Sequence, residues 1–332
     1  MSRIVIDCDP GIDDSLALML ALSSPELEIA GITTVSGNVP ADMGGRNARK
    51  ILSRMGRLDI PVYIGEAVPL RYDYTDAMDT HGSDGLGESF LPEASGDFPE
   101  KSAVEYLEEL LERERISIIA LGPMTNLARL FSKRPELIRQ VDELVSMGGN
   151  FRSHGNCSPV AEYNYWCDPD AAACCYKLFA EAGKKIEMIG LDVTRKIVLT
   201  PNIVEYICRM DQETGEFIRK ITNFYMDFHW EYEKIIGCVI NDPLAVAYYI
   251  DRSMCSGFDS YTEVETEGIC RGQTVVDSMD FWKKRPNSHI LVKTDAGKFM
   301  RFFLARVMKK KDGSRWREEE LALPKNLWYG EE

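Results

Sequence analysis

Four aspartates, Asp7, Asp9, Asp13 and Asp14, crowd the stretch "IVIDCDPGIDD" that runs from Ile4 to Asp14. Strand residues two apart share a face, so Asp7 and Asp9 point the same way where the apolar strand ends. Pro10 and Gly11 then turn the chain, and Asp13 and Asp14 stand in the first turn of the helix "DDSLALMLALSS". The helix dipole favours a negative charge there by only about 0.3–1 kcal/mol. Two unit charges ~4 Å apart repel by about 4 kcal/mol at an effective dielectric of 20. Either some of these carboxyls hold protons, or a cation sits among them. An EF-hand is excluded, because the loop lacks the Glu at its twelfth position. An aspartate-nucleophile phosphatase, with D-x-D on its first strand, is a competitor. "ITTVSGN" would supply its hydroxyl, but Pro10-Gly11 after the second Asp fits it poorly.

Other polar groups gather at the ends of apolar runs. "ITTVSGN" presents Asn38, "IIALGPMTNLA" presents Thr125, and "GNCSPVAEYNYWCDPD" presents Asn156, Glu162 and Asn164. In "VINDPLAVAYY", Asp242 precedes Pro243, a residue suited to the first turn of a helix. Each has an ordinary reading as a turn or cap residue. Together they lie at C-terminal strand edges, where an open α/β sheet builds its ligand site.

The elements that must position these groups alternate between strand and helix. "RIVIDCD", "LEIAGITTVSG", "IPVYIG", "ISIIALG", "VDELVSMGGN" and "KIEMIGLDVT" read as strands with helices between them. That alternation predicts a mostly parallel, doubly wound (Rossmann-like) α/β sheet in one domain over residues 1–332. "YTEVETE", "QTVVDSM" and "HILVKTD" predict a small antiparallel elaboration, and Glu213–Ile236 a long helix rich in aromatics. The polar stretch Arg71–Phe98 reads as a lid or mobile insertion. A net charge of -14 over 332 residues argues against nucleic acid or an anionic membrane surface as a partner. No apolar run approaches a membrane span, and the start shows no signal-peptide pattern. Nine cysteines without a C-x-x-C pair fit reduced, structural thiols in a cytoplasmic protein.

The motifs "DCDPGIDDSLA", "TVSGNV", "ALGPMTNLA", "MGGN", "VAEYN" and "NDPLAVAY", in that order, resemble the nucleoside hydrolase family of the inosine–uridine-preferring type. The likeness spans residue 4 to about residue 250 and is diffuse beyond. It implies a Ca²⁺ ion at the bottom of a ribose pocket, held by the carboxylates of Asp9, Asp14 and Asp242 and the backbone carbonyl of Thr125. Hard all-oxygen ligands from separated segments suit calcium better than Mg²⁺. The resemblance further implies that Asp13 and Asn38 fix the ribose hydroxyls, and that Asn156, Glu162 and Asn164 hold the 5′ side and 3′-hydroxyl. His81 falls on a flexible loop over the base, and Tyr163 on an apolar wall of the base pocket. Family members form dimers or tetramers, so a homodimer or homotetramer is expected, with a nucleoside as the small-molecule partner.

Cleavage of an N-glycosidic bond needs an activated water, stabilisation of an oxocarbenium-like sugar and a better leaving group. The metal and Asp9 as base would meet the first need, and Glu162 the second. The third meets a departure: the family's H-D-P motif has a His where this chain has Asn241, which cannot deliver a proton. Tyr225, His229 and Tyr232 share one helix face, so His229 is expected to be the acid or hydrogen-bond donor, with Tyr225 beside the base. The leading expectation is Ca²⁺-dependent hydrolysis of ribonucleosides to free base and ribose. A nucleoside- or ribose-binding protein with weakened catalysis is the alternative that Asn241 favours.

Overall fold

The computed structural model describes residues 2–324. Eight strands form its main sheet: β1 (Ser2–Cys8), β2 (Leu27–Thr34), β3 (Val62–Ile64), β4 (Ile116–Ala120), β5 (Val141–Met147), β6 (Ile186–Ile189), β7 (Cys255–Ser260) and β8 (Ser288–Thr294). Their spatial order is β3-β2-β1-β4-β5-β6-β8-β7. Every neighbouring pair is parallel except β8 with β7. The doubly wound expectation therefore holds.

Alternation along β1 explains why the sheet needs cover on both sides. Ile4, Ile6 and Cys8 join one apolar cluster, with the helices Ile12–Leu22, Asp242–Ile250 and Ala296–Val307. Val5 joins the other, with the helices Ala103–Arg113, Thr125–Lys133 and Pro169–Glu181. A strand buried on both faces reads as a continuous apolar run, as "IVI" at Ile4–Ile6 does. The strand order reverses between β2-β1 and β4-β5, and the C-terminal ends of these strands form the crevice expected at such a switch point.

The late strands depart from the expectation in one respect. Thr262–Val264 and Thr274–Val276 pair as an antiparallel hairpin, as expected. "HILVKTD", in contrast, is β8 of the main sheet, parallel to β6 and antiparallel to β7. Its adjacent Ile290 and Leu291 are both fully buried, so they require cover on both faces, which a small surface hairpin lacks. "KIEMIGLDVT" is strand only to Ile189; Leu191–Thr194 is a helical turn. The stretch Arg71–Phe98 is not wholly irregular either, because Met78–His81 closes one helical turn. All nine cysteines are free, and no helix among the described residues is long and apolar enough to cross a membrane.

Candidate active site

The site rises from the end of β1. Asp7 pairs in register with Thr33 of β2, whose hydroxyl donates to Asp7 Oδ1 at 2.6 Å. Asn126 Nδ2 donates to the same oxygen at 2.7 Å. Burial pushes the Asp7 carboxyl up to about 6 against these two hydrogen bonds. Asp7 thus braces the strand end from behind.

Asp9 follows, fully buried. Its Oδ2 accepts the Asn38 N–H at 2.6 Å, while its Oδ1 is sealed from solvent without a partner. A glycine stands against each oxygen: a Cβ on Gly37 would lie 2.0 Å from Oδ2, and one on Gly122 would lie 2.5 Å from Oδ1. Neither position tolerates a side chain while the carboxylate stays in place. Gly122→Ala is therefore expected to displace Asp9 and lower turnover by about 10²-fold, the cost of an ångström-scale misplacement. Measuring kcat alongside the melting curve separates this from unfolding.

Asp14, in the first turn of Ile12–Leu22, reaches back to the turn. It accepts the N–H groups of Asp9 (3.2 Å) and Gly11 (3.0 Å) and the Asn38 amide (3.0 Å). Asp13 faces the far side, accepting from the Tyr225 hydroxyl (3.4 Å) and from the backbone and side-chain nitrogens of Asn241 (3.3 and 3.1 Å). Carboxylate oxygens of Asp13, Asp14 and Asp242 lie within 4.8 Å of one another, all buried. Burial, reinforced by the neighbouring carboxylates, pushes Asp14 up to about 7 and holds Asp9 and Asp242 well above the usual range. Such a set either carries protons or holds a cation.

The donor chemistry fits a hard divalent ion: a close trio of carboxylates from two separate segments, the helix start at Asp13–Asp14 and the helix start at Asp242, with the unpartnered Asp9 Oδ1 on the strand end before them. The grouping differs in detail from the expected set of Asp9, Asp14, Thr125 and Asp242. Asp13 belongs to the close trio, and Asp9 stands beside it on the Asn38 amide. Thr125 opens the helix Thr125–Lys133, and its hydroxyl donates to Asp168 at 2.7 Å. Asp168 also accepts the Leu70 N–H and caps the helix Pro169–Glu181. Its Asp-Pro signature in "CDPD" announces the cap, but nothing local announces its hold on Thr125.

One wall is built on Glu162, which caps the short helix Tyr163–Cys167. Its two oxygens accept the N–H groups of Asn164 (2.8 Å), Gly149 (2.9 Å) and Tyr165 (3.2 Å). Burial nevertheless pushes it up to about 7. Asn164 is buried and anchors on the carbonyls of Leu121 and Met147 at 2.7 and 3.1 Å. Tyr163 ties the Gly37 and Thr75 carbonyls through its hydroxyl, and its N–H donates to Asn156 Oδ1. Asn156 itself is exposed at the rim.

The opposite wall carries the imidazoles. His81 sits in the helical turn Met78–His81, not on a free loop, and is buried. Its Nδ1 accepts the Ile12 N–H at 3.1 Å, which places the ring proton on Nε2. His229 is arranged the other way. Nδ1 lies 2.8 Å from the Tyr225 carbonyl, and Nε2 accepts the Val239 N–H at 3.3 Å. Both nitrogens are committed to backbone, and burial holds the ring below its ordinary pKa. Held this way, with Nε2 accepting and Nδ1 against a carbonyl, the ring has no nitrogen turned free toward a base, unlike the arrangement expected of a proton donor. Asn241 keeps its carbonyl oxygen buried and unpartnered while its nitrogens serve Asp13.

Asp13, Asn38, His81, Asn156, Glu162, Tyr163, Asn164, Tyr225, His229, Asn241 and Asp242 line one cavity. Arg195, Phe228 and Glu233 line it as well, residues that sequence reasoning had not singled out. Arg195 and Glu233 form an ion pair at 2.7 Å across 38 positions, which no local signal carries.

Residues 4–301 match the family model described as inosine-uridine preferring nucleoside hydrolase. The chain is 34% identical to the pyrimidine-specific ribonucleoside hydrolase RihA of Enterobacter sp. (strain 638) over 304 residues, 90% of this chain and 95% of that one. It superposes on a purine-preferring ribonucleoside hydrolase from Gardnerella vaginalis with a TM-score of 0.86, at 31% identity over 92% of this chain and 98% of the other. A plant nucleoside hydrolase, PpNRh1, superposes with a TM-score of 0.87 at 30% identity, over 92% and 99% of the two chains. Neither the binding-protein reading nor the phosphatase reading finds support in these likenesses. This chain belongs to the inosine–uridine-preferring nucleoside hydrolase family, and it is an enzyme.

Proposed function

We propose that the enzyme hydrolyses ribonucleosides to free base and ribose, with Ca²⁺ at its acidic cluster. The observation that carries this is the buried, glycine-cradled Asp9, whose unpartnered oxygen stands beside three close carboxylates. The carboxylates of Asp9, Asp14 and Asp242, with the Thr125 carbonyl, would hold the ion, and the nearby Asp13 would share the ion and the ribose hydroxyls. When bound, the ion supplies positive charge that keeps these acids ionised and acidifies a water.

The chain's own groups do the rest. Asp9 takes the proton of the attacking water as general base, its carboxylate fixed by the Asn38 N–H. Asn38 aligns Asp9 through its N–H and Asp14 through its side chain. Glu162, fixed by three backbone N–H groups, places negative charge beside the sugar as positive charge develops on it. Asn164 and Asn156 offer amides to the sugar hydroxyls. His81 presents its Nε2–H to the departing base, as a neutral hydrogen-bond donor, because burial lowers its pKa. Tyr163 and Tyr225 wall the base, and His229 orients Tyr225 and Val239 through backbone contacts.

His81→Ala is expected to lower kcat on inosine and uridine by about 10²-fold, within the range for a positioned donor, with a much smaller loss on p-nitrophenyl riboside. His229→Ala is expected to lower the melting temperature and to leave the acid limb of the pH–rate profile unmoved. The test of the reaction itself is product analysis in phosphate-free buffer: equimolar base and ribose support hydrolysis. A strict requirement for phosphate, yielding ribose 1-phosphate, would replace it with phosphorolysis. Assembly as a homodimer or homotetramer belongs to the same proposal and is read by light scattering.

A further inference from the structure

The cavity has a charge and a lining that uridine and inosine do not call for. Asp13, Asp76, Asp79, Glu162, Glu233 and Asp242 line the cavity, and Arg195 is its one Lys or Arg among the described residues. Arg195 is already paired with Glu233 and also donates to the Gly155 carbonyl at 3.0 Å. A divalent ion at the trio still leaves the lining net negative.

Three aromatics line the cavity along one helix. Tyr225, Phe228 and Tyr232 follow one another at helical spacing along Gln212–Glu233, and the Phe228 and Tyr232 rings lie 4.6 Å apart. Tyr232 is 69% exposed, so packing does not account for it. Aromatic faces beside carboxylates recognise organic cations.

None of the three polar groups placed here beside the base, Asn241, His229 and His81, is a ready acid. Asn241 has no acidic proton to give, His229 has both nitrogens on backbone, and His81 is a neutral donor. A neutral base must gain a proton as it leaves, whereas a base that is already cationic need not.

We propose that this enzyme also hydrolyses N-ribosides whose base carries a positive charge, of the pyridinium or N7-alkylpurinium class, with Glu233 and the Tyr225–Phe228–Tyr232 face receiving that charge. The inference rests on the hydrolase reading above. In such a substrate the C1′–N bond breaks with its electron pair passing to nitrogen, which cancels the charge and releases a neutral base. The water oxygen bonds to C1′ and its proton passes to Asp9. The products are ribose, the neutral base and one proton, and nothing is oxidised or reduced.

The experiment compares nicotinamide riboside with inosine, uridine and p-nitrophenyl riboside on the calcium-supplied enzyme and on its Glu233→Gln and Tyr232→Ala variants. The expected kcat/KM for nicotinamide riboside exceeds those for inosine and uridine by about tenfold or more, and its KM lies below that for the neutral, activated nitrophenyl compound. Each variant is expected to raise the ratio of those two KM values by about threefold to tenfold, the span of a cation–π contact. Tyr232 is on the surface, so its variant folds even if loss of the Arg195–Glu233 pair disturbs the other. Turnover of p-nitrophenyl riboside with nicotinamide riboside bound no better, or a preference that both variants leave intact, overturns the proposal while the hydrolase reading stands. Turnover of neither compound overturns both.

Discussion

Asp9→Asn is expected to lower kcat on ribonucleosides by about 10³-fold or more, within or beyond the range for a single proton acceptor. The substitution is isosteric, so Gly37 and Gly122 still accommodate it and the Asn38 N–H can still be accepted. What disappears is the basic oxygen and one negative charge. Because Asp9, Asp14 and Asp242 repel one another, removing that charge does not destabilise the fold, and the melting temperature should hold or rise. A variant that retains turnover within tenfold of the parent would remove Asp9 from the role of base. Separating kcat from KM also matters: a loss confined to KM would make Asp9 a binding group.

The second large effect is the pH dependence of cation binding. Without an ion, burial and mutual repulsion push Asp14 up to about 7 and hold Asp9 and Asp242 elevated. An entering ion must displace those protons, so binding releases protons and weakens as pH falls. Apparent calcium affinity is expected to drop by about tenfold per pH unit below about 7 for each proton displaced. The stability of the ion-free protein moves in the opposite sense. Its folded state keeps a proton on Asp14 up to about 7, whereas the unfolded carboxyl gives it up near the ordinary value of 3.8. Ion-free stability therefore falls as pH rises through that window, and calcium should restore it most at the upper end. Titration calorimetry in buffers of different ionisation enthalpy counts the protons, and melting curves from pH 5 to 8 follow the stability. Affinity independent of pH across that range would mean that the acids are not the ligands.

Much of this site was legible because its central residues are contiguous. Asp7, Asp9, Asp13 and Asp14 lie on one strand–turn–helix, where the period of a strand and the start of a helix fix their directions without the rest of the fold. Asp242 was equally readable from the Asp-Pro pair that opens its helix. The roles of the histidines were not readable, because hydrogen bonds to remote backbone groups set them. His229 meets Val239 through the small hairpin of Val198–Leu199 with Cys238–Val239, and His81 meets Ile12 across 69 positions. Composition and spacing carry no trace of either bond. The same holds for Arg195 with Glu233 and for Thr125 with Asp168, pairs that exist only once the sheet has brought their loops together. The placement of "HILVKTD" failed for a related reason. A short apolar run at the end of a chain reads alike as a hairpin strand or a sheet strand, and only the cover supplied by its neighbours decides.

Stripping the protein with chelator and adding Ca²⁺ back in steps, with base release from uridine and inosine read at each step, tests the central claim most directly. Hydrolysis through the acid cluster requires that activity vanish on stripping and return in proportion to occupancy, saturating near one ion per chain. Full activity in the stripped protein, or ion binding that restores no base release, would contradict it.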